Sequence, residues 1–155
     1  MINPVLKNRG AGRKGRRTRG VTLMELLVVI AIIGIIAAVA VPTYRKYLVR
    51  SGRAEAKIAL LQLQTAEEKF YMQNNTFTAN LTDAQPAGLG LTAVTESGKY
   101  NVAVVLGADG QTYVATASPR ARGGQTDDLE CVNFTINQRG TRGVSGPKGA
   151  QACWR

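Results

Sequence analysis

The sequence predicts an α+β fold in which one long N-terminal helix precedes a small antiparallel sheet of three to four strands. Three observations predict it. Residues 26–41 are 16 consecutive apolar or small residues. A helical pattern resumes beyond them across 43–72. After residue 98, short β-branched segments alternate with glycine turns. A helix followed by a run of strands is the α+β order. At 155 residues the chain holds one modest domain plus a targeting segment.

The first element is charge rather than structure. Residues 1–20 contain seven basic side chains (Lys7, Arg9, Arg13, Lys14, Arg16, Arg17, Arg19) and no acidic one. The remaining 13 basic and 10 acidic residues leave only +3 of the net +10. A basic excess beside an apolar segment favours an anionic membrane surface over nucleic acid as its partner.

Residues 21–41 (VTLMELLVVIAIIGIIAAVAV) are the second element. As a helix they would span about 30 Å, one bilayer core. The preceding Arg and Lys residues orient such a span with its C-terminal side outside the cytoplasm. A plain anchor explains the length and orientation. A signal peptide explains the basic start, with Ala38-Val39-Ala40 as an A-x-A cleavage pattern. Neither explains Glu25. An ionisable group at the edge of an apolar span is a functional candidate by default.

Residues 43–72 continue the helix. Tyr47, Ala54, Ile58 and Leu61 define its expected buried face, with Glu55, Lys57, Glu67, Glu68 and Lys69 as the polar complement. Gly52 is an internal weak point, and Asn74-Asn75 is the expected stop. Residues 73–98 read as a surface connection. Lys99–Leu106, Gln111–Ser118 and Cys131–Asn137 read as strands, with a short fourth around Thr141–Ser145. Gly107 to Gly110 is the turn between the first two. Cys131 and Cys153 are separated by 21 residues, which excludes C-x-x-C redox and zinc patterns. A disulfide in an oxidising compartment fits better.

The run Gly20-Val21-Thr22-Leu23-Met24-Glu25-Leu26-Leu27 resembles the cleavage motif of type IV pilins and type II secretion pseudopilins. The resemblance implies that a prepilin peptidase cuts between Gly20 and Val21 and methylates the new amine. The family usually has Phe where this chain has Val21. A new α-amine has an unperturbed pKa of about 7.7–8. In an apolar bundle, that cation and Glu25 of a neighbouring subunit would relieve each other's burial and set axial register. Gly34 and Pro42 fall where pilins carry a glycine and a proline. The proline lacks an N–H and weakens the helix, and the glycine adds freedom. The resemblance thus implies a long helix able to unwind locally during assembly; a kinked anchor ending near Pro42 is the alternative.

Residues 53–72 and 96–154 are similar to the PilE and ComP-like minor pilins, on AEAKIALLQLQTAEEKFYMQNNTFT, ESGKYNV, two cysteines around TRGVSG, and Cys153-Trp154. This implies the type IV pilin fold, with a leader at 1–20, a transmembrane and assembly half-helix at 21–42, and a periplasmic domain at 43–155. The disulfide would staple the tail to the sheet. The implied partners are other pilin subunits, the prepilin peptidase and the inner-membrane assembly machinery. The implied location is the inner membrane before assembly and an extracellular pilus after it.

Three functions are weighed. A filament subunit, assembled by bundling of apolar helices, leads. A pilus-borne DNA receptor is second, with Arg120, Arg122, Arg139, Arg142 and Lys148 in glycine-rich loops as phosphate contacts. Against it, Asp127, Asp128 and Glu130 read as a solvated loop that cancels this charge, and no aromatic residue interleaves as a stacking platform. A pseudopilin is third; it shares the N-terminal motif but uses a calcium site, for which the same three acids are the candidates. The chain has no His, no metal-ligand cluster and no phosphate-cradling loop, so no enzyme, cofactor or metal is expected.

Overall fold

The computed structural model describes residues 20–155. The basic leader side chains therefore lie outside the described residues. The chain divides into two compact units between Ala40 and Val41.

Helix α1 runs from Leu23 to Asn74 without a break, through both Gly34 and Pro42. Thr22 starts it: its hydroxyl accepts from the Glu25 N–H at 3.2 Å, and its carbonyl accepts from Leu26 N at 3.1 Å. A threonine cap with a glutamate three residues on is the capping-box pattern. Asn75 ends the helix in the left-handed region (φ 53°), as the asparagine pair predicts. In the first unit, every described residue from Gly20 to Ala40 is exposed. α1 is long and apolar enough there to cross a membrane.

In the second unit, the strands are β1 (Tyr100–Leu106), β2 (Tyr113–Pro119), β3 (Phe134–Asn137) and β4 (Arg142–Val144). They form one antiparallel sheet in the order β1-β2-β3-β4. A 3-10 helix covers Arg122–Asp127, and a short helix α2 covers Ala150–Cys153. The expected α+β order is therefore present, with four strands. Burial alternates along the strands, which puts Tyr100, Val102 and Val104, Tyr113, Ala115 and Ala117, and Phe134 and Ile136 on one face. These join Ala56, Leu60, Leu63 and Phe70 of α1 in a single core.

Three expectations need correction. The buried face of α1 is Ala56, Leu60, Leu63, Glu67 and Phe70, spaced four and three apart. Tyr47, Ala54, Ile58 and Leu61 lie on exposed positions instead. Periodicity alone allowed both stripes, and the sheet selected the other one. The third strand begins at Phe134 rather than Cys131, because Val132 adopts φ 55° and the Cys131 N–H is taken by the Asp128 carboxylate at 3.2 Å. The 73–98 connection is not all surface, since Leu81 and Leu89 belong to the core. Leu91 N donates to Leu81 O at 2.7 Å and Leu89 N to Asn80 O at 3.0 Å, which fold the loop back over its own apolar residues.

Glu67, expected to be solvated, is fully buried. One carboxylate oxygen accepts from Thr78 N at 3.1 Å, and the other has no hydrogen-bond partner, like the neighbouring buried Tyr113 hydroxyl. Burial raises the Glu67 carboxyl to about 7, only partly offset by the Thr78 N–H. The folded state thus holds this proton more tightly than the unfolded chain, whose carboxyl titrates near 4.5. The associated stability is full below pH 4.5 and is lost as pH rises through 7, in total about 3 kcal/mol. Denaturant unfolding of the wild type is therefore expected to show a decline in stability between pH 5 and pH 8, and Glu67→Gln to lose it. At pH 8 the variant should be the more stable by about 2 kcal/mol.

Candidate functional site

Two regions hold the residues singled out in the sequence. At the N-terminus, Gly20 and Val21 precede α1 in non-helical, exposed backbone. The Gly20–Val21 peptide bond is thus free of helical hydrogen bonding, which a protease needs. Glu25 sits in the first turn of α1. There its charge meets the positive end of the helix macrodipole. Glu25, expected to act between subunits, also has a local role in the cap, which the T-x-x-E spelling carries. Among the described residues, no side chain packs on Gly34 within 4 Å of where a Cβ would stand.

In the globular unit, the organising group is Arg53 on α1. Its guanidinium donates to both oxygens of Asp128, each at 2.8 Å, and to Glu130 at 2.7 Å. The Asp128 carboxylate, through its hydrogen bonds, raises the Arg53 pKa against the opposing effect of burial. The Arg53 side chain is 10% exposed and that of Asp128 is 0% exposed. Asp128 is therefore not part of a solvated loop. Glu130 also receives Lys148 Nζ at 2.8 Å. Lys148 and then Arg53 hold its carboxyl down at about 2. Of the three candidate calcium ligands, Asp128 and Glu130 are thus committed to cations, and among the described residues no group of three metal-ligating side chains converges.

Beside this staple lies the disulfide between Cys131 and Cys153. It ties the loop that Asp128 organises to α2 and places Trp154 against the sheet. The Trp154 indole N–H donates to Gly143 O of β4 at 3.0 Å, and its ring meets Phe134 edge-on at 5.9 Å between centroids. Gln125 of the 3-10 helix is also fully buried, donating to Tyr100 Oη at 2.8 Å and Val49 O at 3.2 Å. A Cβ on Gly52 would stand 2.0 Å from its side-chain oxygen. The expected weak point of α1 is instead the position where Gln125 approaches the helix.

The five basic candidates do not form one patch. Arg120 follows β2, bonded through its N–H to Lys99 O at 2.7 Å, and Arg122 begins the 3-10 helix with its side chain crossing Gly98. These two share one end of the sheet with Lys99. Arg139 sits in the β3–β4 turn at the opposite end. Lys148 is paired with Glu130. Arg142, on edge strand β4, lies over the Trp154 ring with its guanidinium carbon 5.1 Å from the centroid. Lys57 of α1 belongs to the same corner: it donates to Arg155 O at 2.7 Å, and burial, then Arg53 and Arg142, lower its pKa. The aromatic partner that the basic loops lacked in sequence is thus Trp154, brought there by the disulfide. Lys57 and Trp154 went unnoticed as site residues because neither neighbours Arg142 in the chain.

Comparison with known families gives two matches. Residues 42–135 match the family described as type IV minor pilin ComP, DNA uptake sequence receptor. Residues 15–41 match the prokaryotic N-terminal methylation motif. Among solved structures, a type IV pilin from Shewanella oneidensis is similar at 21% identity over 61% of this chain and 89% of that one, with a TM-score of 0.45. None of the curated proteins compared matches the sequence.

The Arg53 pair yields a direct test. Asp128→Asn removes a buried charge and leaves the guanidinium short of its main partner, so unfolding free energy should fall by about 3 kcal/mol. Glu130→Gln, at a half-exposed position, should cost less. Urea titration of the three proteins orders them.

Proposed function

The chain belongs to the ComP family of type IV minor pilins, and from that premise we propose that it is a membrane-anchored precursor processed into a pilus subunit that binds DNA. The observation that carries the subunit reading is the N-terminal methylation motif laid over exposed, non-helical Gly20–Val21 and the capped helix behind it. In this reading residues 1–20 are the leader, 21–42 the membrane-spanning and assembly half of the helix, and 43–155 the periplasmic domain. Prepilin peptidase cuts at Gly20–Val21 and methylates Val21. The inner-membrane assembly machinery then moves the subunit into an extracellular filament of pilins.

Assembly needs no covalent chemistry. The apolar face from Leu26 to Val41 leaves lipid only for an equally apolar bundle of neighbouring helices. The new amine on Val21 finds Glu25 of the adjacent subunit, and that pair fixes the axial step. Gly34 and Pro42 supply the points where the helix can yield as subunits slide past one another. The subunit has a structural and binding role, without a catalytic one.

The DNA-binding reading is supported by the family and by one local arrangement, Arg142 on the face of Trp154 with Lys57 beside it. A guanidinium there reaches phosphate, and the indole offers a surface to a sugar or base edge. Lys57 and Arg142 bring two cations to this corner, and burial first, then Arg53 and Arg142, lower the Lys57 pKa. Arg120, Arg122 and Lys99 form a second cationic site at one end of the sheet, while Lys148 is engaged by Glu130 and Arg139 lies apart.

Intact mass of the protein recovered from sheared filaments should equal residues 21–155 plus one CH2 unit for the N-methyl group minus the two hydrogens of the disulfide. A mass beginning elsewhere, or no subunit in the filaments, would exclude the processing scheme. For DNA, Arg142→Ala should weaken duplex binding about tenfold and lower the salt-dependence slope by about one. An Arg139→Ala control should change neither, and equal losses in both variants would refute the assignment to the Trp154 corner.

A further inference from the structure

The second unit carries one cationic surface that neither assembly nor the Trp154 corner uses. Arg45, Lys46, Val49 and Arg50 of α1 line a cavity of about 260 Å³ whose opposite wall is the segment from Asp127 to Glu130. Arg53 also borders it, but Arg53 is committed to Asp128 and Glu130, and Glu130 to Lys148. That leaves Asp127 as the remaining carboxylate against Arg45, Lys46 and Arg50. None of these three makes an ion pair among the described residues. The lining also has an apolar part, Val49 and the 75% exposed Leu129, and Tyr44 and Tyr47, exposed on α1 but outside the lining, stand at the same level of the helix.

We infer that this cavity and its rim bind the headgroup of an anionic phospholipid. The phosphate is held among Arg45, Lys46 and Arg50, and the glycerol and first acyl carbons lie against Val49 and Leu129. The charge complementarity selects an anion; the position selects a lipid. Arg45 to Arg50 stand four to nine residues beyond Val41, the last residue of the apolar run. At the helical rise this is about 6–14 Å, the depth of a headgroup layer outside the hydrocarbon core. Two exposed tyrosines at the same level suit that interface, as do long basic side chains whose stems lie along apolar surface. The inference rests on reading residues 21–41 as membrane-spanning. It adds a docking surface that holds the precursor in the bilayer until assembly withdraws it.

The test uses the full chain in dodecyl maltoside micelles, titrated with dioctanoyl-phosphatidylglycerol, with dioctanoyl-phosphatidylcholine and with inorganic phosphate, and followed by thermophoresis. Phosphatidylglycerol is expected to bind at least about tenfold more tightly than phosphatidylcholine, and to lose that advantage in the Arg45→Gln, Lys46→Gln, Arg50→Gln triple variant. Leu129→Ser should weaken the lipid and not inorganic phosphate. If circular dichroism shows that the triple variant does not fold, the three single variants carry the test, each expected to weaken binding about threefold. Equal binding of the two lipids would overturn the proposal. Inorganic phosphate binding as tightly as phosphatidylglycerol would overturn the lipid assignment. Loss of duplex DNA binding in the triple variant with phosphatidylglycerol unaffected would reassign the surface to nucleic acid. None of these outcomes bears on cleavage or filament incorporation, so failure here leaves the pilin reading standing.

Discussion

The buried ion pair between Arg53 and Asp128 is the contact on which the C-terminal half of the molecule depends. A guanidinium on the inner side of α1 would be a liability without a fixed partner. Asp128 answers it with both oxygens, and in doing so is itself held out of solvent. The same carboxylate accepts the Cys131 N–H, so the backbone that carries the disulfide is set by the pair. Cys153 then fixes α2, α2 fixes Trp154, and Trp154 presents the face on which Arg142 rests. One charge on the helix thus positions a side chain on the far edge of the sheet through a chain of short, directional contacts.

This staple also changes the electrostatics of the surface. Counted along the sequence, Asp127, Asp128 and Glu130 cancel the basic loops around them. In the fold, Asp128 and Glu130 direct their charge to Arg53 and Lys148, which removes Lys148 from the free cations, while Arg142 makes no ion pair among the described residues. A patch that looks neutral in one dimension becomes two sites of differing potential in three. Glu67 is the opposite case, a carboxylate buried with one backbone donor and no cation. Its desolvation is tolerated because the Thr78 N–H anchors the start of the connection that covers the core. This costs stability at neutral pH in exchange for a fixed loop.

The legibility of the fold in the sequence follows the strength of each local signal. The end of α1 was legible in Asn74 and Asn75, and the β1–β2 hairpin in its glycine turn, whose Gly110 takes φ 67°. These signals are short-range, so they survive without tertiary knowledge. The buried face of α1 was not legible, because alternative stripes of small and apolar residues wind around it and only the sheet decides which is covered. The start of β3 failed for a similar reason: Cys131 and Val132 have strand-like side chains, but a distant carboxylate claims the backbone. Gly52 shows the same limit, since a glycine inside a helix reads as weakness until the Gln125 side chain is seen to need the space.

What the sequence determined by itself is the N-terminal pattern: a basic stretch, a methylation motif around Gly20–Val21, a carboxylate at Glu25 and an apolar run as long as a bilayer is thick. Those features are contiguous, and their meaning depends on order and spacing alone. It also determined the α+β class and favoured a disulfide between its two cysteines, which the structure forms. The tertiary structure decided which charges are free, which aromatic ring a guanidinium rests on, and which carboxylates are buried. Those outcomes depend on residues between eleven and a hundred positions apart meeting in space, and no local pattern encodes a free energy that arises only when water is removed from between them.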